Sequence, residues 1–253
     1  MISENKLFNS FWFSNKLSLT SLVMAVFIII VGLAERAHSG PDGPTTISFG
    51  PDLTANGWRL MTFPRRTPAS FSAQGSTTLL IDANSAVAIL WRQLKPALRD
   101  ALSAQWRWRV KVSVVPTDLS KKGGDDRAVA AYFVFSDDTS SAESIDLSSI
   151  MRAGSAHILT YVWGGSAAKG QFLSSPYLGE NGRTIVLRSA SDPIGGWLSE
   201  RVDLKSDYRK AFGRNPPALI AVAVSSDSDD TSGRNVAAIS EFVLNPRNTT
   251  EKR

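Results

Sequence analysis

From Thr45 onward the chain repeats one pattern, a short run rich in Val, Ile, Thr and aromatic residues followed by a cluster of Gly, Asn, Asp or Pro. The runs are "TISF", "WRLMTF", "ASFSA", "TTLLIDA", "AVAILWRQL", "QWRWRVKVSVV", "AVAAYFVFS", "HILTYVWG", "RTIVLRSA", "WLSERVDL", "LIAVAVSS" and "VAAISEFVL". β-Branched and aromatic side chains suit a pleated surface, and turn residues punctuate it. About a dozen short strands predict an all-β fold, a jelly-roll or galactose-binding-like β-sandwich. Two stretches break the pattern and predict short connecting helices. "LKPALRDALSA" repeats Leu94, Leu98 and Leu102 on one helical face, and "KSDYRKAFG" offers Ser206 as a cap, Tyr208 with Phe212, and Gly213 as the stop. The polar stretch "SDDTSSAESIDLSS", Ser136 to Ser149, predicts a loop or hairpin tip.

Ahead of this pattern, Lys6 and Lys16 precede an uncharged apolar run, "LSLTSLVMAVFIIIVGLA", from Leu17 to Ala34. Ala37 and Ser39 come next as small residues of the kind a signal peptidase reads, so residues 1–39 are expected to be a signal peptide cut after Ser39, with Ala34 the second choice. The run is also long enough to stay as an uncleaved anchor. Either way the remainder is expected to be periplasmic or secreted in a bacterium, touching a membrane only through this segment. Residues 40–253 are long enough for one β-sandwich domain with its own core. With Cys 0, that core has no disulfide to help it, and thiolate catalysis and thiolate metal ligation are excluded.

The net charge of +5 falls to +4 once Lys6, Lys16, Arg36, Glu4 and Glu35 are removed. The tight basic pairs, Arg65 with Arg66 and Lys121 with Lys122, make no stripe, so no nucleic-acid partner is expected. His157 is the sole histidine after the leader, which excludes a multi-imidazole metal site, and no G-x-S-x-G elbow supports a serine triad.

In "WRWRVKV" strict alternation puts Trp106, Trp108, Val110, Val112 and Val114 on one face, expected to be core, and Arg107, Arg109 and Lys111 on the other. In "HILTYVWGG" the inward set reads as Ile158, Thr160 and Val162, leaving His157, Tyr161 and Trp163 on a second, aromatic face. In "WLSERVDL" Leu198, Val202 and Leu204 oppose Trp197, Ser199, Arg201 and Asp203. Joined in one sheet, Tyr161, Trp163, Trp197, Arg201 and Arg109 make a patch of rings and donors suited to a carbohydrate. The alternative is that another layer buries these rings.

Carboxylates gather at Asp125 and Asp126, at Asp137 and Asp138, and in "SSDSDDTSG" with Asp227, Asp229 and Asp230. Adjacent residues on a strand point apart, so a catalytic pair needs two segments. Read from Asp227, the last stretch fails as an EF-hand, since Ser232 stands where Gly is needed and Ala238 where Glu is needed. Two readings stay open: a calcium loop using Asp227 and Asp229, or Asx-turns in which these aspartates bond their own loop amides. No other cofactor is expected.

The segments "WRWRV", "GGDDRAVAAYFVF", "YVWGG", "SSPYLGE", "IVLRSASDPIGGWLSERVDL", "DYRKAFGRNPPALIAVAVSSDSDDTSG" and "AAISEFVL" together resemble the bacterial domain of unknown function 3047 family, from Thr45 to Leu244. The resemblance implies an exported sandwich of unassigned biochemistry, with Asp125, Asp126, Trp163, Trp197, Asp207, Tyr208, Asp227 and Asp229 as motif positions of no assigned role. Family members tend to carry Arg shortly after the Gly-Asp-Asp step, where this chain has Ala130. The sequence therefore points to a non-catalytic module that binds a carbohydrate or another envelope polymer. The alternatives are a glycan hydrolase or lyase on the same fold, using carboxylates with Tyr161 or Tyr208 and Arg201, or a structural envelope protein.

Overall fold

The computed structural model describes residues 43–139 and 146–246. The expected signal segment and the middle of the polar loop lie outside them. Thirteen strands fill the described residues: β1 (Thr45–Thr46), β2 (Trp58–Met61), β3 (Ser70–Gln74), β4 (Thr78–Asn84), β5 (Val87–Gln93), β6 (Ser103–Val112), β7 (Arg127–Ser136), β8 (His157–Trp163), β9 (Phe172–Ser175), β10 (Gly179–Arg188), β11 (Leu198–Asp203), β12 (Ala218–Asp227) and β13 (Arg234–Asn245). They form two sheets, an all-β sandwich. One sheet runs β11-β6-β13-β4-β3, with β1 added along β13, and the other runs β2-β5-β12-β7-β8-β10-β9. All pairings between named strands are antiparallel except β8 with β10.

The tryptophan pair sits where alternation puts it. Trp106 and Trp108 are fully buried between the sheets, their rings edge to face at 5.5 Å, and Val110 continues the stripe. Trp106 also meets Phe133, Tyr161 and Phe242, and Trp108 meets Trp163. Val112, the last residue of β6, breaks the stripe by being exposed, whereas Val114 beyond it is buried.

The reading of β8 is corrected. Leu159, Tyr161 and Trp163 face the core between the sheets, while Ile158 and Val162 join a second apolar cluster with Leu147, Ile150 and Met151. Those three belong to a helix, α1 (Leu147–Ala153), which starts inside the stretch expected to be a loop and runs past its end at Ser149. Its ends have clear causes: Asp146 accepts from the Ser148 amide at the start, and Gly154 takes φ 63° at the close. Because α1 covers that side, both faces of β8 are buried, and alternation alone cannot say which face meets the partner sheet.

The second helix, α2 (Leu204–Phe212), forms where expected, but its cap is Asp203, whose side chain accepts from Ser206 N at 2.9 Å. At the first expected helix only a single 3₁₀ turn forms, Pro96–Leu98, before the chain enters β6.

Candidate functional site

Tyr161 and Trp163 have no exposed surface, so the expected carbohydrate patch is not assembled. The Tyr161 hydroxyl donates to Asp207 Oδ2 at 2.7 Å, and burial followed by the nearby carboxylates pushes its pKa up. That removes it as a base. Trp197, Arg109 and Arg201 stand on the opposite, outer side of the six-stranded sheet, where β11 flanks β6. His157 has a structural setting, edge-on to Phe212 at 4.7 Å with Arg214 beside its Nδ1.

A cleft of about 330 Å³ lies on the outer face of the seven-stranded sheet. Its floor combines Tyr132 of β7, Thr160 of β8 and Thr184 of β10. Loops raise its walls: Phe63, Pro64 and Arg66 after β2, Leu119 and Asp125 before β7, Pro176 and Tyr177 before β10, and Asp229 and Asp230 after β12, with Met151 contributed by α1. The volume falls in the range of small-molecule sites, and its lining is apolar with a few converging polar groups.

Arg127 organises the charge. It opens β7, directly after "GGDD", and its guanidinium is largely buried. Nη1 donates to the Asp125 carbonyl, to Asp125 Oδ2 at 3.4 Å and to Asp227 Oδ2 at 3.3 Å. Nη2 donates to the Tyr132 hydroxyl at 2.6 Å and to Ser225 Oγ at 3.3 Å. Burial opposes the charge of Arg127, but Tyr132, Asp227 and Asp125 outweigh it and keep the group a cation. The "YVWGG" turn helps place it, since a Cβ on Gly164 would come within 2.9 Å of Arg127 Cα. Although Ala130 stands where family members tend to carry Arg, Arg127 pairs with Asp125 and Asp227, and the sequence reading passed over it.

The Asp-rich loop does not cap itself. Asp126, fully buried, accepts from Thr231 N at 2.7 Å, from Thr231 Oγ1 at 2.6 Å and from Asp230 N at 3.4 Å, so the neighbouring segment caps the loop. Its own aspartates are thereby free to face the cleft. Arg66 Nε lies 3.1 Å from Asp229 Oδ2, and its Nη2 lies 3.6 Å from Asp230 Oδ1. Asp227 Oδ1 meets no donor among the described residues, and the contact of Asp227 with the Asp229 carboxyl is a hydrogen bond only when one of the two carries a proton. Burial pushes Asp227 up to about 8 against the pull of Arg127, with Asp125, Asp126 and Asp229 adding to the rise. Burial also raises Asp229, against Arg66. The pair is thus built to hold a proton at neutral pH.

The calcium expectation changes its membership. Among the described residues, Asp126, Asp229 and Asp230 each bring a carboxylate oxygen within 4.8 Å of the others, whereas Asp227 turns to Arg127. Even this trio fits a cation poorly, because Asp126 is committed to the loop and the Arg66 guanidinium already lies against the other two.

A family model described as "Protein of unknown function (DUF3047)" matches residues 56–243. The chain belongs to the DUF3047 family. That match takes in both carboxylate segments and Arg127, so the whole polar heart of the cleft lies within the DUF3047 region. No curated protein matches the chain. Among solved structures, it is similar to the xyloglucanase domain of NopAA, a type three effector from Sinorhizobium fredii, in complex with cellobiose. That alignment has 13% identity and a TM-score of 0.40, over 74% of this chain and 92% of that one. The K3 adhesin domain of Lys-gingipain from Porphyromonas gingivalis aligns at 12% identity and a TM-score of 0.34, over 79% of this chain and 98% of that one. At these scores neither bears on what a DUF3047 protein does.

Proposed function

We propose that the cleft on the seven-stranded sheet binds a saccharide segment of an envelope glycan, in a protein exported by its N-terminal segment. The observation that carries this reading is the convergence of Asp125, Asp227 and Asp229, from two separate segments, with Arg127 between apolar walls that include Phe63 and Tyr177. A sugar offers C–H faces to apolar walls and hydroxyls that both donate and accept, which carboxylates and a guanidinium satisfy in turn. A glycan array, with calorimetry on its hits, tests this. Asp125→Asn and Asp229→Asn should each weaken binding roughly ten- to hundredfold, the size of a hydrogen bond to a charged group. An array without hits, or hits indifferent to both changes, defeats the reading.

A second reading, cleavage of the bound glycan, is favoured by the proton-holding contact of Asp227 with Asp229. Hydrolysis adds water across a glycosidic bond: the leaving oxygen takes a proton, the anomeric carbon takes hydroxide, and a carboxylate takes the remaining proton of the water. Asp227 is the donor in this scheme, and Asp125 or Asp229 the acceptor. Mass spectrometry of the bound glycan after incubation decides. Shortened products from wild type but not from Asp227→Asn support cleavage, and an intact glycan leaves a binding module. Export is checked in the same way on the protein itself, by a new N-terminus near Gly40 or Glu35.

A further inference from the structure

The outer face of the six-stranded sheet carries a constellation of opposite charge. Along β6 the two-residue period turns Arg107, Arg109 and Lys111 to this side. Leu198 pairs with Trp108, so Trp197 falls beside Arg109, and its ring lies 4.8 Å from the Arg109 guanidinium carbon and 5.7 Å from that of Arg107. Across from Arg109 the row continues through Ala238 on β13 and Leu80 on β4 to Ser72 on β3, and the small Ala238 leaves room next to the guanidinium. The strands leave a shallow groove of about 380 Å³ in which Ser72, Asp82, Arg109 and Lys111 stand beside the apolar Leu80 and Val236.

Charge on this groove is only half balanced. Arg107 has Glu241 at 3.3 Å, and Asp82 is clasped by Arg234 at 2.6 and 3.1 Å. Arg109 and Lys111 have no ion pair among the described residues, and Arg109 Nε is buried without an acceptor. A buried donor left unmatched calls for a partner, and a guanidinium held over an indole keeps its fork in place for one. Two cations at i and i+2 on a strand stand about 7 Å apart, so meeting both takes separate anionic groups spaced along a chain.

We propose that this groove binds the oxyanion groups, carboxylate or phosphate, of an acidic glycan chain, with Arg109 and Lys111 as the contacts and Trp197 holding Arg109. This site is independent of the cleft, which lies on the other sheet and whose charged lining is four aspartates with Arg66 and Arg127. Because Arg107 is already paired, the stretch of free positive charge is short, which suits spaced acidic groups better than the continuous phosphates of a nucleic acid.

The test titrates the protein with polygalacturonate, with a polyol-phosphate polymer and with neutral dextran, at two salt concentrations. One or both acidic polymers should bind, more weakly at high salt, and dextran should be indifferent to changes in this groove. The acidic polymer bound more tightly identifies the anion. Arg109→Gln with Lys111→Gln should weaken that binding roughly ten- to hundredfold, while Lys169→Gln, a single charge removed elsewhere on the exposed surface, should leave it unchanged. Arg109→Lys keeps the charge, so a loss there as well, with the melting temperature unchanged, shows that the fork matters rather than the fold. The proposal fails if the double variant binds like wild type, if Lys169→Gln loses as much, or if duplex DNA binds equally well with the same dependence on Arg109.

Discussion

Arg127 is where residue chemistry decides most about the cleft. Its donors hold Asp125, Asp227, Tyr132 and Ser225 together, so one side chain links the Gly-Asp-Asp step to the Asp-rich loop. Nothing in periodicity marks it, since it begins a strand and looks like one more scattered base. The signal was proximity in sequence to two carboxylates that alternation alone could not aim. Asp227 gives a testable consequence. Its pKa is 3.8 as a free side chain and is raised to about 8 in the fold, so the native state binds more protons between those values. Stability from this group is fully present below about pH 4 and is lost as pH rises through the folded value. Melting temperature should therefore decline from pH 5 to 8 in wild type and decline less in Asp227→Asn, and parallel curves for the two would refute the assignment. Calcium is the second test at this scale. With Arg66 already against Asp229 and Asp230, melts in calcium and in chelator should coincide, and a rise of several degrees in calcium would show that the ion displaces Arg66.

At the scale of elements, the strands were legible and the faces only partly so. Trp106 and Trp108 were readable as core because β6 belongs to a sheet with one face to solvent, where polar and apolar residues alternate cleanly. Strand β8 lies inside the other sheet under α1, and there Ile158 and Tyr161 are equally buried, so the sequence pattern is silent about direction. That is why Tyr161 and Trp163 were placed in a surface patch. Helix α1 was missed because Leu147, Ile150 and Met151 stand among serines, and its better signals were the Asp146 and Gly154 caps. These differences predict different energies. Trp108→Ala removes a fully buried ring whose Nε1 donates to Glu200 at 3.1 Å, and should cost about 3 to 5 kcal/mol. Asp203→Ala removes only the cap of α2, and should cost about 0.5 to 2 kcal/mol. Denaturant melts of both variants check the order, and an Asp203→Ala loss equal to that of Trp108→Ala would mean the cap does more than start the helix.

For the whole molecule, the question is where the sandwich closes. The expected cut after Ser39 falls short of the first strand, and the stretch from Thr45 to Phe49 belongs to the core rather than to a tail. Thr45 and Thr46 pair with Leu244 and Val243 of the last strand, Ile47 N donates to the Phe242 carbonyl at 2.7 Å, and Phe49 stacks on Trp58 at 4.9 Å. Ile47 and Phe49 are both buried. The two ends of the domain thus pair with each other, and with Cys 0 in the sequence no disulfide can stand in for that seam. A chain beginning at Gly40 should melt in one transition, because every described strand is present. A chain beginning at Gly50 loses β1 and two apolar side chains, each worth about 1.5 to 3 kcal/mol when buried. It should therefore be less stable by roughly 3 to 6 kcal/mol, or fail to fold where the total margin is of that order. Side-by-side denaturant melts of the two chains provide the measurement. If the Gly50 chain keeps the full stability of the Gly40 chain, the N-terminal strand is an ornament on β13 rather than the closure of the core.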